Sequence, residues 1–163
     1  KQLARKLVDR LIVIHASADH LEAVAVRWRT QFEENAKQLA FHALYPELDH
    51  NEVVGWMGGG SVPQNAHVIA LRDPEDDPRL KRRIEVTSEI IASAGVPVSQ
   101  VWTGNGSRLA RLVSLIHLGD WVSVYLALLK RVDPTPVAAI DEIKMRLHEE
   151  DGGIPGGAGE GHG

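Results

Sequence analysis

With 163 residues and a net charge of -4, the chain has the length of one domain, and a domain of that size buries roughly 70% of its unfolded surface without a covalent staple. It has no cysteine, which excludes a disulfide framework, thiolate metal sites and cysteine nucleophiles and leads us to expect a reducing, cytoplasmic setting. The acidic balance leaves no basic surplus to neutralise phosphates, so no nucleic-acid partner is expected. No run of about 18 purely apolar residues occurs, so no membrane span is expected either.

Residues 1–9 alternate basic side chains with Leu3, Ala4, Leu7 and Val8 and predict a short helix. Leu11-Ile12-Val13-Ile14 is a β-branched apolar run, the composition of a buried strand. His15 to Asp19 reads as the loop leaving that strand. Asp19, with Glu22 three residues on, predicts a capped start for a helix over 20–37. Residues 40–44 read as a second short helix stopped by Pro46, and 50–56 fits helix or strand. Gly58-Gly59-Gly60-Ser61 reads as a flexible loop. His67 to Leu71 predicts a second buried strand, and the acid-rich turn 73–78 leads into a helix over 78–94 ended by Gly95-Val96-Pro97. Val98 to Thr103 predicts a third strand. A long helix over 107–132 breaks at Asp133-Pro134-Thr135-Pro136, and an amphipathic helix covers 137–149. The glycine-dominated residues 151–163 predict a disordered tail. This alternation implies an α/β fold, a parallel sheet flanked by helices on both faces. In such folds ligands sit at the C-terminal ends of the strands.

Gly104-Asn105-Gly106 lacks the third glycine of a dinucleotide fingerprint, and the triple glycine lacks the Lys-Ser/Thr of a phosphate loop. His42, Asp49 and His50 are weak evidence for a metal, and none is expected. The chemistry concentrates in Arg27 to Trp56, where the clusters Glu34-Asn35-Ala36-Lys37 and Glu47-Leu48-Asp49-His50-Asn51-Glu52 could face a common pocket. Glu34 lies near a helix C-terminus, where the dipole disfavours a carboxylate and would raise its pKa, as a general base working near neutral pH requires. A solvated helix end is the plainer alternative. His50 has Asp49 and Glu52 as neighbours, which would favour the imidazolium and fix its tautomer; a surface histidine is the alternative. Lys130 closes the long apolar helix, where an ammonium also complements the dipole for structural reasons alone. The four tryptophans read as packing rather than sugar platforms.

Taken together, Glu34 to Lys37, Pro46 to Trp56 and Gly119 to Val137 resemble the C-terminal half of the bifunctional phosphoglucose/phosphomannose isomerases. These belong to the phosphoglucose isomerase superfamily and are built from two sugar isomerase (SIS) domains. The resemblance covers 1–147, with the three blocks in the family's order and near its spacing. It implies a crossover helix between domains at 1–10 and a C-terminal SIS domain at 11–150, a SIS-type sheet in a flavodoxin-like three-layer sandwich. It also implies an aldose–ketose isomerisation without metal or other cofactor, converting glucose 6-phosphate or mannose 6-phosphate to fructose 6-phosphate through a cis-enediolate. By similarity, Glu34 shuttles the proton between C2 and C1, and His50, supplied across the interface of a homodimer, opens the sugar ring. Lys130 stabilises charge near the ring oxygen. Asn35, Lys37, Asn51 and Ser123 would line the phosphosugar substrate. Ser123 stands where the family usually carries threonine, and its small size leaves room for both C2 epimers. The family's phosphate-gripping loop and an arginine facing the enediolate belong to the N-terminal SIS domain and are not among these residues. That implies a longer parent chain. The alternatives are a non-catalytic SIS domain that binds a phosphosugar or serves dimerisation or regulation, and a scaffold whose polar clusters only cap helices.

Overall fold

In the computed structural model, residues 1–151 are described; the tail expected to be disordered lies, from 152 on, outside them. Four strands, β1 (Leu11–Ser17), β2 (Ala40–Tyr45), β3 (Ala66–Arg72) and β4 (Val98–Trp102), form one sheet in the order β2-β1-β3-β4. All pairings are parallel, with Ile12 opposite Ala40, Leu11 opposite Ala66 and Val68 opposite Val98. The central strands β1 and β3 are buried almost throughout, so both faces need cover. One face carries α1 (Gln2–Leu7), α2 (Glu22–Ala36) and α6 (Arg108–Lys130). There Ile12, Ile14 and Ile69 pack against Trp28, Leu115 and Leu126. The other face carries α3 (Glu52–Trp56) and α5 (Pro78–Ser93), where Val13 and Val68 meet Trp56 and Ile91. A short helix α4 (Ser61–Gln64) follows the glycine loop, and α7 (Ala138–Asp151) follows α6. The result is a three-layer α/β sandwich, as the alternation of elements implies.

Three local expectations are corrected. Residues 40–44 form the edge strand β2, not a helix. Their alanine and leucine content favours helix, but pairing with β1 supplies ladder hydrogen bonds that a weak helical preference cannot match. Asp19 does not cap α2: the N-cap is Leu21, without a side-chain bond, and the Asp19 carboxylate lies 3.4 Å from His20 Nδ1 instead. His15 to Ser17 continue β1 rather than forming the loop after it, and residues 47–50 make a single 3₁₀ turn that runs into the helix α3. In addition, α6 is long and apolar enough, at a mean hydropathy of 1.7, to cross a membrane by length and composition. Its buried side carries Arg111, Leu115, Gly119 and Leu126, which make it the core helix of this domain.

The α2–α6 contact sets the geometry of both helix ends. Trp28 is fully buried and donates its indole N–H to Leu115 O at 2.8 Å. A Cβ at Gly119 would lie 2.3 Å from that indole nitrogen, so only glycine admits this approach. At the rim, Arg27 donates two hydrogen bonds of 3.1 Å to Asp120.

Candidate active site

The two polar clusters do not face one pocket within a single copy; they lie at opposite ends of the sheet. The first is built where α2 and α6 end together, beside the N-terminal edge of the strands. Lys37 (φ 51) and Arg131 (φ 56) adopt the left-handed conformation that stops each helix. Lys130 Nζ donates to Lys37 O at 3.5 Å, joining the two ends. Lys37 Nζ in turn donates to the carbonyls of Glu34 and, at 3.2 Å, Pro134. Glu34 and Lys37 are exposed and Lys130 is half-buried. The Asn35 amide donates to Ser123 Oγ at 2.8 Å and to Gln31 at 3.1 Å. Ser123 is wholly buried and donates to Asp120 O at 2.7 Å. In this chain Ser123 therefore holds Asn35 in place rather than facing solvent. Glu34, Lys37, Thr30 and Glu33 form one wall of a cleft of about 570 Å³, and Pro136 and Val137 form the other. At its edge the Thr135 amide donates to Asp133 at 2.9 Å. That bond, the Thr135 hydroxyl and the nearby Lys37 charge hold the Asp133 carboxyl below its ordinary pKa.

The second group follows the C-terminal end of β2. His50 is exposed at the end of the 3₁₀ turn and makes no side-chain hydrogen bond among the described residues. Neither flanking carboxylate serves it, contrary to expectation. Asp49 accepts from Thr87 at 2.6 Å and Arg83 at 3.0 Å, both on α5. Glu52 Oε1 lies 2.6 Å from His15 Nε2 and accepts from Trp56 Nε1 at 2.8 Å. Burial alone would raise the Glu52 pKa, but the bond and charge of His15, with Trp56, bring it below the usual carboxylate value. Asn51 caps α3, its Oδ1 accepting from Glu52 N at 2.6 Å, and its amide donates to Glu47. Sequence reasoning missed His15. The available signal was a histidine at an inward position of the run Leu-Ile-Val-Ile-His.

The strand ends at the sheet's switch point, between β1 and β3, carry a network of the chain's own charged side chains. Arg111 donates to Asp73 at 3.1 Å and also to Glu75. His20 Nε2 stands 3.5 Å from Asp73 and 3.4 Å from Asp76. Burial pushes Asp76 up. Burial acts on Asp73 in the same direction, but the Glu75 amide and Arg111 hold it low. Beside this network the ends of β1 and β2 leave a cleft of about 450 Å³ lined by Ser17, Asp19, Tyr45, Arg79 and Arg83, while the cleft at Glu34 lies at the other end of the sheet. Among the described residues no three His, Cys, Asp or Glu side chains group to hold a metal ion.

Residues 1–147 match the family described as the bacterial phospho-glucose isomerase C-terminal SIS domain. The chain belongs to this family. Among its relatives, the bifunctional phosphoglucose/phosphomannose isomerase of Caldicellulosiruptor bescii is 39% identical over 149 residues, 91% of this chain and 44% of that protein. The protein of the same name from Aquifex aeolicus is 40% identical over 151 residues, 90% of this chain and 45% of the relative. This SIS domain thus spans less than half the length of the curated relatives it matches. Among solved structures, a hypothetical protein from Thermus thermophilus superposes with a TM-score of 0.77 at 17% identity, covering 93% of this chain and 43% of its own. A glucose-6-phosphate isomerase like protein from the same organism gives 0.67 at 23% identity, covering 88% and 46%. These two likenesses show the shared fold.

Within this SIS domain, β2 separates the groups: Glu34 precedes it and His50 follows it. A strand of six residues is about 20 Å long. One copy therefore cannot bring the His50 imidazole to the Glu34 carboxylate without dismantling the sheet.

Proposed function

We propose that this domain is the carboxyl-terminal half of a phosphosugar aldose–ketose isomerase acting between glucose 6-phosphate, or mannose 6-phosphate, and fructose 6-phosphate. The observation that carries the reading is the joining of the α2 and α6 ends, where Glu34 and Lys37 line the 570 Å³ cleft and Lys130 donates to Lys37 O beside it. The carboxylate of Glu34 takes the C2 proton of the open-chain aldose. The electron pair of that C–H bond forms the C1–C2 double bond of a cis-enediolate, and the former carbonyl oxygen carries the charge. The hydroxyl proton on O2 then passes to O1, and the same carboxylate returns its proton to C1 as the carbonyl re-forms at C2. No atom is gained or lost, so one group serves as base and then as acid. The Lys130 ammonium lowers the cost of the enediolate charge as it develops. Asn35, its amide N–H groups held by the buried Ser123 and by Gln31, offers its carbonyl oxygen to the sugar hydroxyls.

His50 of a second copy opens the ring in this reading, and the remainder of the longer relatives' architecture supplies the phosphate contacts. The apolar side chains exposed on α6 and α7, among them Leu109, Val113, Leu128, Ile140 and Ile143, support further chain packing there. The test is a coupled isomerase assay on the full-length protein beside Glu34→Gln, which keeps shape and removes the base. Loss of the carboxylate should lower kcat by at least about 10²-fold, the low end of what positioned acid–base groups contribute. Undiminished turnover would remove Glu34 from the mechanism. Binding of fructose 6-phosphate without turnover by the unaltered protein would favour a regulatory SIS domain.

A further inference from the structure

His15 is a fully buried imidazole that the reaction just described does not use. It sits on β1, on the sheet face toward α3, and its Nε2 is 2.6 Å from Glu52 Oε1. Its Nδ1 lies 3.4 Å from the Tyr45 hydroxyl, which is itself buried. The same Glu52 oxygen accepts from Trp56 Nε1 at 2.8 Å. Enclosing the imidazole costs its desolvation, which hydrogen bonds must offset. What a directional, charge-assisted bond adds is a fixed position. Glu52 is two residues from His50, and Asp49, on the other side, is bound to Thr87 and Arg83 of α5. His50 itself has no side-chain bond among the described residues, so its aim follows the turn, which the buried Leu48 and these two tethers fix to the rest of the fold.

We propose that His15, with Glu52, is a positioning pair for His50: the buried bond from β1 fixes the turn that holds the exposed imidazole out toward the neighbouring copy. The inference rests on the reading of His50 as the ring-opening group. It adds two residues that touch no substrate but decide how well that group is placed. Trp56 shares the Glu52 oxygen and locks the carboxylate rotamer, while Asn51 caps the start of the same helix.

The experiment is a double-mutant cycle on the full-length protein, read as single-turnover conversion of glucose 6-phosphate so that slow variants stay measurable. Glu52→Gln and His15→Leu should each lower the rate by about 10- to 100-fold, the scale on which a misplacement of an ångström or less acts. Affinity for fructose 6-phosphate should change little. In a His50→Ala background the same substitutions should cost nothing further, because the group they aim is gone. A purely structural role would subtract the same factor in both backgrounds, and that result overturns the proposal. So does full activity of Glu52→Gln with His50 intact. If His50→Ala alone leaves the rate unchanged, the failure is of His50 as ring opener, and the positioning pair falls with it. Circular dichroism screens each variant for folding. Should His15→Leu not fold, the near-isosteric Glu52→Gln carries the cycle alone.

Discussion

His67 is 3% exposed on β3, its Nε2 2.9 Å from Ser99 Oγ and its Nδ1 without a partner. Burial first, then the charges of Lys6 and Arg10, push its pKa from 6.5 down to about 4. The folded chain therefore keeps this ring neutral where the unfolded chain protonates it. Between about pH 6.5 and pH 4 the unfolded state binds more protons, so stability falls as pH falls across that window. The carboxylates of Glu52 and Asp73 are depressed and lose their contribution at lower pH still, while the raised Asp76 acts with the opposite sign. The urea midpoint should drop on acidification from pH 7 to pH 4, and His67→Asn should flatten that slope. An unchanged slope in the variant would assign the pH dependence to other groups. At this scale the sequence was only partly legible. Glu34, Lys37 and Lys130 could be chosen from helix ends and from a family resemblance. The true partners of Asp49 and Glu52 could not, because Thr87, Arg83 and His15 lie more than thirty residues away, and chain neighbours say nothing of such bonds.

The contact between α2 and α6 sets how their ends, which carry Glu34 and Lys130, sit side by side, and it depends on a missing side chain. Gly119→Ala would drive a methyl into Trp28, whose indole contacts would fall to 2.3, 2.4 and 2.5 Å. Trp28 is held by its bond to Leu115 O and by Phe32, edge-on at 6.0 Å, so it cannot swing aside. Alanine gains up to about 1 kcal/mol in helix propensity over glycine, yet overpacking a fixed core costs about 1–3 kcal/mol. We expect net destabilisation and a further loss of kcat, since the helix ends would separate. Unfolding by urea beside the isomerase assay checks both. A variant as stable as the parent would show that the α2–α6 distance is soft. Most elements were readable here because β1, β3, α5 and α6 each carry a strong apolar pattern with clear stop signals. The exception, β2, is a half-exposed edge strand whose identity comes from its neighbour. Phe41 faces out at 52% exposure, so no clean alternation announced it.

For the whole molecule, the strand that divides Glu34 from His50 is the controlling fact. If both act on one sugar, they come from different copies, and a two-fold pair of copies presents two such composite sites. Coexpression of two inactive full-length variants tests this directly. In a mixed dimer of Glu34→Gln with His50→Ala, one site carries both defects. The other combines an intact Glu34 from the second chain with an intact His50 from the first. Random pairing makes half of the dimers mixed, each with one good site of two, so the mixture should recover about a quarter of the unaltered activity. Each variant alone should stay near zero, and diluting the mixture below the dimer dissociation constant should remove the recovered activity. A mixture no more active than its components, although mixed dimers are demonstrably present, would place both residues in a site within one copy or deny them a common site. With β2 intact between them, the first of these would require a different fold.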